Sequence, residues 1–121
     1  MIWKFAGSKP VYQQIMEQLR AAVLAGEYPP GGRVPSVREL ALEAGVNPNT
    51  VQRALTELER EGLLVCVGTA GRCVTEKESV LETLRQQAVE RIVHTYALRM
   101  RELGMDIRQA AQLLLEQEKE G

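Results

Sequence analysis

One histidine and two cysteines among 121 residues leave almost nothing from which to build a metal or redox centre. His94 stands without a set of Cys, His or carboxylate partners at metal-ligand spacing, so packing or exposure is its expected role rather than ligation. No apolar run approaches the ~20 residues that span a bilayer. The first residues, Met1-Ile2-Trp3-Lys4-Phe5, lack the apolar stretch and small-residue cleavage site of a signal peptide, which points to a cytoplasmic protein whose Cys66 and Cys73 are reduced thiols. No nucleophile, base and orienting group form a recognisable set, no phosphate loop appears, and no paired acids are isolated from basic neighbours. That excludes a recognisable enzyme, and no cofactor or metal is expected. An excess of charge of either sign is also missing. Net charge is −1; residues 1–75 carry eight Lys/Arg against seven Asp/Glu, and residues 76–121 carry seven against nine. A polyanion would therefore be bound weakly by overall charge, and affinity must come from a few placed basic groups and helix N-termini.

What the chain does have is local punctuation. Hydrophobic residues make up 45% and charged residues 26%, a globular composition for one domain or a small domain plus an appendage. Val11, Ile15, Leu19, Ala22 and Val23 recur at helical spacing, with Gly26 closing the helix. Tyr28-Pro29-Pro30-Gly31-Gly32 is a rigid, turn-rich connector. Ser36-Val37-Arg38-Glu39 is a capping box, opening a helix through Ala44 that stops at Gly45. Asn47-Pro48 starts the next helix, through Glu61, since Asn is a preferred N-cap and Pro is pre-organised for the first helical position.

Val37, Leu40 and Ala41 of the second helix, and Val51, Ala54, Leu55 and Leu58 of the third, are expected to face inward. Asn49, Gln52, Arg53 and Thr56 then face out. After Gly62, residues 63–67, the turn Gly68-Thr69-Ala70-Gly71 and residues 72–75 read as strand, four-residue turn and strand. Two capped helices, a tight turn and a following hairpin constitute a winged helix-turn-helix, a DNA-binding arrangement whose third helix does the reading. In that register Cys66 faces Cys73 at a Cα separation of ~4.5 to 5.5 Å, close enough for a thiol-disulfide switch, although a buried thiol is equally a small hydrophobe. Beyond the hairpin, Val80, Leu84, Ala88, Ile92, Tyr96, Met100 and Leu103 mark a long helix from about Lys77 to Leu103, broken at Gly104. Asp106-Ile107-Arg108-Gln109 then caps a last helix through Ala110, Leu113 and Leu114 toward Lys119. Val89, Val93 and Ala97 widen the apolar face of the long helix beyond what one further helix covers.

Several of these pieces resemble one known family. Pro10-Val11-Tyr12-Gln13-Gln14-Ile15, Pro30 to Ala41, Gly45 to Leu55, and Leu58 to Leu63 resemble, in order, the GntR family of bacterial transcription regulators. The short tail after the hairpin resembles the YtrA-like branch. The resemblance implies a mainly α fold with a small β-hairpin: a winged helix-turn-helix over residues 1–75, then a two-helix dimerisation and effector-response segment over 76–121. It implies a homodimeric repressor binding double-stranded DNA at an inverted-repeat operator. A small-molecule effector, if there is one, would sit at the dimer interface or between tail and DNA-binding domain.

In such a protein Arg38 occupies the position of an arginine that contacts DNA, its bland alternative being a salt bridge to Glu39 or Glu43. Pro48 and Gln52 stand where the family often has arginines. Gly71 matches the wing-tip glycine, Thr69 and Ala70 stand where basic residues are common, and Cys73 replaces an aromatic that should face the core. From side-chain chemistry, Asn49 and Gln52 suit adenine and Arg53 suits guanine or phosphate. The expected DNA contacts are Ser36, Arg38, Asn47, Asn49, Thr50, Gln52, Arg53, Gly71 and Arg72. Lys9 and Tyr12 are further backbone candidates, Tyr12 alternatively packing beneath the motif. The expected dimer contacts are Leu84, Ala88, Ile92, Tyr96, Met100, Leu103, Leu113 and Leu114. The alternative function is a winged-helix module that binds protein instead of DNA.

Overall fold

A computed structural model describes residues 1–120 of the chain. Five α-helices and one hairpin follow in the order α1 (Val11–Leu24), α2 (Val37–Ala44), α3 (Pro48–Arg60), β1 (Leu64–Cys66), β2 (Arg72–Val74), α4 (Glu78–Glu102) and α5 (Ile107–Glu120). The chain divides into two compact units, Met1–Glu82 and Thr83–Gly121, with the division inside α4.

The first unit is built on caps that the sequence spells out. Ser36 Oγ accepts from the Glu39 N–H at 3.1 Å while the Glu39 carboxylate accepts from the Ser36 N–H at 3.2 Å, which satisfies two otherwise orphaned donors at the start of α2. Asn47 Oδ1 accepts from the Asn49 N–H at 2.8 Å to start α3. That helix ends one residue earlier than expected, and Gly62 follows at φ 84°, a conformation costly for any residue with a Cβ. Leu63 thereby turns back to donate to the Leu58 carbonyl at 3.1 Å. The inward stripe of α3, Val51, Ala54, Leu55 and Leu58, is completely buried against Ile15 and Leu19 of α1, Leu40 of α2, and Val34, Leu64 and Val74. Burial of each large aliphatic contributes about 1.5–3 kcal/mol. Two expected inward positions are not in the core: Val11 is exposed, and Val37 only half-buried.

The hairpin differs from expectation by one residue. Leu64 pairs with Val74, Val65 with Cys73, and Cys66 with Arg72. The reversal uses five residues rather than four: Gly68–Ala70 form a single 3-10 turn, Gly71 follows at φ 83° and ψ −146°, and the Val67 N–H closes the loop on the Gly71 carbonyl at 2.8 Å. A slip of one residue moves every side chain to the other face of a strand. Cys66 therefore shares a face with Arg72, while Cys73 shares the opposite face with Val65. The two thiols are not cross-strand partners, which removes the basis for a disulfide between them. Cys73 does not take the core position of an aromatic either; Val74 next to it does, at 1% exposure.

A further strand pairing was not legible in advance. The connector between α1 and α2 runs antiparallel to β2, with Gly31 donating to the Val74 carbonyl, Val74 to the Gly32 carbonyl, and Val34 to the Arg72 carbonyl, at 2.9 to 3.0 Å. Arg33 is bridged to Cys73. β2 is thus engaged on both edges, by β1 in a two-stranded sheet and by the connector through an isolated bridge. The segment before α1 is held by side chains instead. The buried Gln14 amide takes the Ala6 N–H and donates to the Ala6 and Lys9 carbonyls, while Gln18, one turn on, accepts from and donates to the backbone of Lys4.

In the second unit, Asp106 Oδ1 caps α5 by accepting from the Arg108 N–H at 2.7 Å, with Gln109 returning the bond to the Asp106 N–H. The Tyr96 hydroxyl donates to the Ala110 carbonyl, and Ala110 is fully buried. Much of the remaining apolar surface is uncovered: Ile92, Val93, Leu103, Leu114 and Leu115 are each more than half exposed, and Leu113 nearly so. Of the other expected dimer contacts, Ala88, Tyr96 and Met100 are half-buried, and Leu84 is already 7% exposed within the chain.

Candidate nucleic-acid interface

The outward face of α3 carries Asn49, Gln52 and Arg53, all exposed, with Thr56 half-buried beside them. Gln52 Nε2 lies 3.4 Å from Thr56 Oγ1, a long contact along the helix that leaves the amide oxygen open. Ahead of this face stand Asn47, exposed, and Thr50, half-buried at the helix start. Beside it, a shallow cleft runs between the first turn of α2 and the wing, lined by residues 33–38, Gly71 and Arg72. Ser36 is half-buried there and Arg38 exposed.

The arginines of the first unit sort into two groups. Arg20 pairs with Glu61 through two hydrogen bonds, Arg33 with Glu39 at 3.3 Å, Arg60 with Glu57, and Arg72 with Glu59. Each of these guanidinium groups is already matched by a carboxylate. Among the described residues, Arg38 and Arg53 are not. Both acids that could have neutralised Arg38 are engaged elsewhere: Glu39 closes the capping box and meets Arg33, while Glu43 accepts from the Trp3 indole at 3.1 Å and meets the N-terminal ammonium at 3.4 Å. The Glu39 carboxyl is held below its ordinary pKa, first by the Ser36 N–H, then by the Ser36 hydroxyl, with Arg33 adding to it, so it is an anion committed to the cap. Arg53 is stacked instead on the ring of Tyr12 in the first turn of α1, with its guanidinium carbon 3.7 Å from the ring centroid.

Of the residues singled out from sequence, Asn49, Gln52 and Arg53 share the exposed face of α3, Arg38 is exposed in the first turn of α2, and Ser36, Asn47 and Thr50 stand at or next to the helix starts. Arg72 is drawn away, half-buried against Glu59 on α3. Lys9 is exposed but paired with Glu17 at 2.9 Å. Sequence reasoning did not anticipate that Tyr12 would meet Arg53 or that Arg33 would lie at the wing edge, because both contacts bring together residues far apart in the chain.

Comparison with known proteins places this architecture. The model of bacterial regulatory proteins of the gntR family matches residues 11–74. The transcriptional repressor YtrA of Bacillus subtilis is 36% identical over 95 residues, covering 74% of this chain and 73% of the relative. A GntR family transcriptional regulator from Listeria monocytogenes superposes with a TM-score of 0.84 at 31% identity, covering 93% of this chain and 98% of that one. The DNA-binding domain of AraR, solved in complex with operator ORX1, superposes with a TM-score of 0.56 at 28% identity, over 60% of this chain and 93% of that one. The chain belongs to the gntR family of bacterial regulatory proteins, and its winged helix-turn-helix is that of a DNA-binding transcriptional regulator.

Proposed function

We propose that this protein acts in the cytoplasm as a homodimeric repressor without enzymatic activity, reading an inverted-repeat operator with α3 of each protomer in successive major grooves. The observation that carries the reading is the selective neutralisation of arginines: four of the six in the first unit face carboxylates, and the two left over flank the exposed face of α3. A near-neutral chain binds DNA when the few charges that matter are the ones left unmatched. In this reading Arg38 and the α2 start meet phosphates, Asn49 and Gln52 read adenines, and Gly71 brings the wing backbone near the duplex. Residues 1–75 are the reading domain and residues 76–121 the dimerisation domain. The uncovered apolar residues Ile92, Leu103, Leu113 and Leu114 are the surface a second copy covers, which fixes the two α3 helices at a spacing of ~34 Å or a multiple of it.

Selection from a random duplex pool, followed by binding of the enriched sequence to wild type and Arg38→Ala at two salt concentrations, tests the proposal. An enriched inverted repeat whose binding is lost with Arg38→Ala supports it. No enrichment, or binding insensitive to salt, would instead indicate a module that binds protein. A monomer at micromolar concentration in sedimentation would refute the dimer.

A further inference from the structure

We infer that Tyr12 is a positioning residue for base reading: its ring fixes the Arg53 guanidinium so that this side chain reads guanine within the operator. The inference rests on the DNA-binding reading above. On the exposed face of α3 the polar side chains are Asn49, Gln52, Arg53 and Thr56, with Arg60 two turns beyond Arg53; of these two cations Arg60 is paired with Glu57, which leaves Arg53 as the unmatched one, in the N-terminal half of the helix. The amides are suited to adenine, so any bidentate contact to guanine O6 and N7 falls to Arg53.

An arginine that merely neutralises a phosphate needs no fixed plane, whereas a bidentate contact to a base edge does. Stacking supplies the plane. A guanidinium lying on an aromatic face loses neither of its in-plane N–H edges and sheds much of its rotamer freedom. Glu57, one turn further along α3, does not compete for Arg53 because it is taken by Arg60. Tyr12 is half-buried at the start of α1, so its ring is held by burial rather than by its hydroxyl, whose hydrogen bond from Gln13 Nε2 at 3.2 Å is exposed. Where the GntR pattern often carries an arginine at the position of Gln52, this chain has its arginine one position later, at the edge of the exposed face that adjoins α1.

The probe is the duplex enriched by the wild-type protein, together with copies in which 7-deazaguanine, which lacks N7, replaces each guanine in turn. Wild type is expected to lose affinity when one particular guanine per half-site is replaced. Tyr12→Leu is expected to bind the natural duplex about two- to fivefold more weakly per protomer, hence roughly four- to twenty-five-fold across a dimer. It should also become indifferent to that replacement, as should Arg53→Lys, and the salt dependence of Tyr12→Leu should stay unchanged. Tyr12→Phe is expected to restore both affinity and guanine sensitivity. In the free protein the Arg53 side-chain methylene protons next to the guanidinium should resonate upfield of their ordinary position. Ordinary shifts there would overturn the inference whatever the variants do. So would wild-type binding by Tyr12→Leu, or a uniform loss over all guanines with shallower salt dependence, which would make Arg53 a phosphate contact. If Arg38→Ala loses binding to the selected duplex and Tyr12→Leu does not, the regulator reading stands and this inference alone falls.

Discussion

Replacing Arg38 with Ala and, separately, Arg60 with Ala removes the same unit of charge from the same domain, yet the structure requires the two to behave differently. Arg60 is exposed but matched by Glu57, so its loss changes net charge while freeing one carboxylate. Arg38 has no carboxylate partner among the described residues and stands in the first turn of α2 beside the wing. If it meets a phosphate, each protomer forfeits a charge-assisted hydrogen bond of about 1.5–3 kcal/mol. Two protomers then lose about 3–6 kcal/mol, roughly a hundredfold to ten-thousandfold in affinity. Two fewer neutralised phosphates should also flatten the slope of log affinity against log salt by about 1.8. Fluorescence anisotropy on the selected duplex across a range of salt gives both numbers. Arg60→Ala should leave the slope nearly unchanged. Equal losses of affinity and slope in the two variants would refute the reasoning, because binding would then follow total charge rather than the particular arginines left unmatched.

Gln14→Leu should strand the Ala6 N–H and two carbonyls that the amide satisfies, lowering stability by about 1–3 kcal/mol and speeding tryptic cleavage at Lys4. Unchanged cleavage and an unchanged urea midpoint would show that the arm is held by something else. Because Cys66 and Cys73 point to opposite faces of the hairpin, mild oxidation should produce no two-hydrogen mass loss within residues 61–85; appearance of that loss would restore the thiol switch. The Glu39 pKa lies below its unfolded value, so its contribution to stability is present above the ordinary carboxylate range and is lost as pH falls through the folded value. Glu39→Gln should accordingly lose less stability than wild type between about pH 7 and pH 3, measured as urea midpoints. Identical pH dependence in the two proteins would take the carboxylate out of the cap.

The parts of this fold legible in the sequence are those whose causes are local. Ser36 and Glu39, or Asn47 and Pro48, interact across three residues or fewer, so their chemistry names the helix starts directly. The buried stripe of α3 follows from its period alone. The wing register did not follow, because it turns on whether Val67 belongs to the strand or to the loop, and a β-branched residue just ahead of Gly68 fits the strand until the pairing is seen. Arg72 looked like a phosphate contact for the same reason that Arg53 looked merely versatile: nothing near either residue in the sequence reveals that Glu59 awaits the first and Tyr12 the second. Position on an exposed face was predictable, whereas the partner that holds or releases a charge was set by tertiary packing.

The pairing of Arg33 with Cys73 joins residues 40 positions apart and encloses α2 and α3 between its ends. Closing so long a loop has an entropic cost that the bridge cannot offset until both helices are in place. The bridge is therefore expected to be a late event in folding, conditional on the helices it fences in. By the same logic, a chain in which α2 or α3 has frayed keeps a local hairpin but loses the bridge that ties the wing to the connector ahead of α2, so the placement of the wing depends on the two helices.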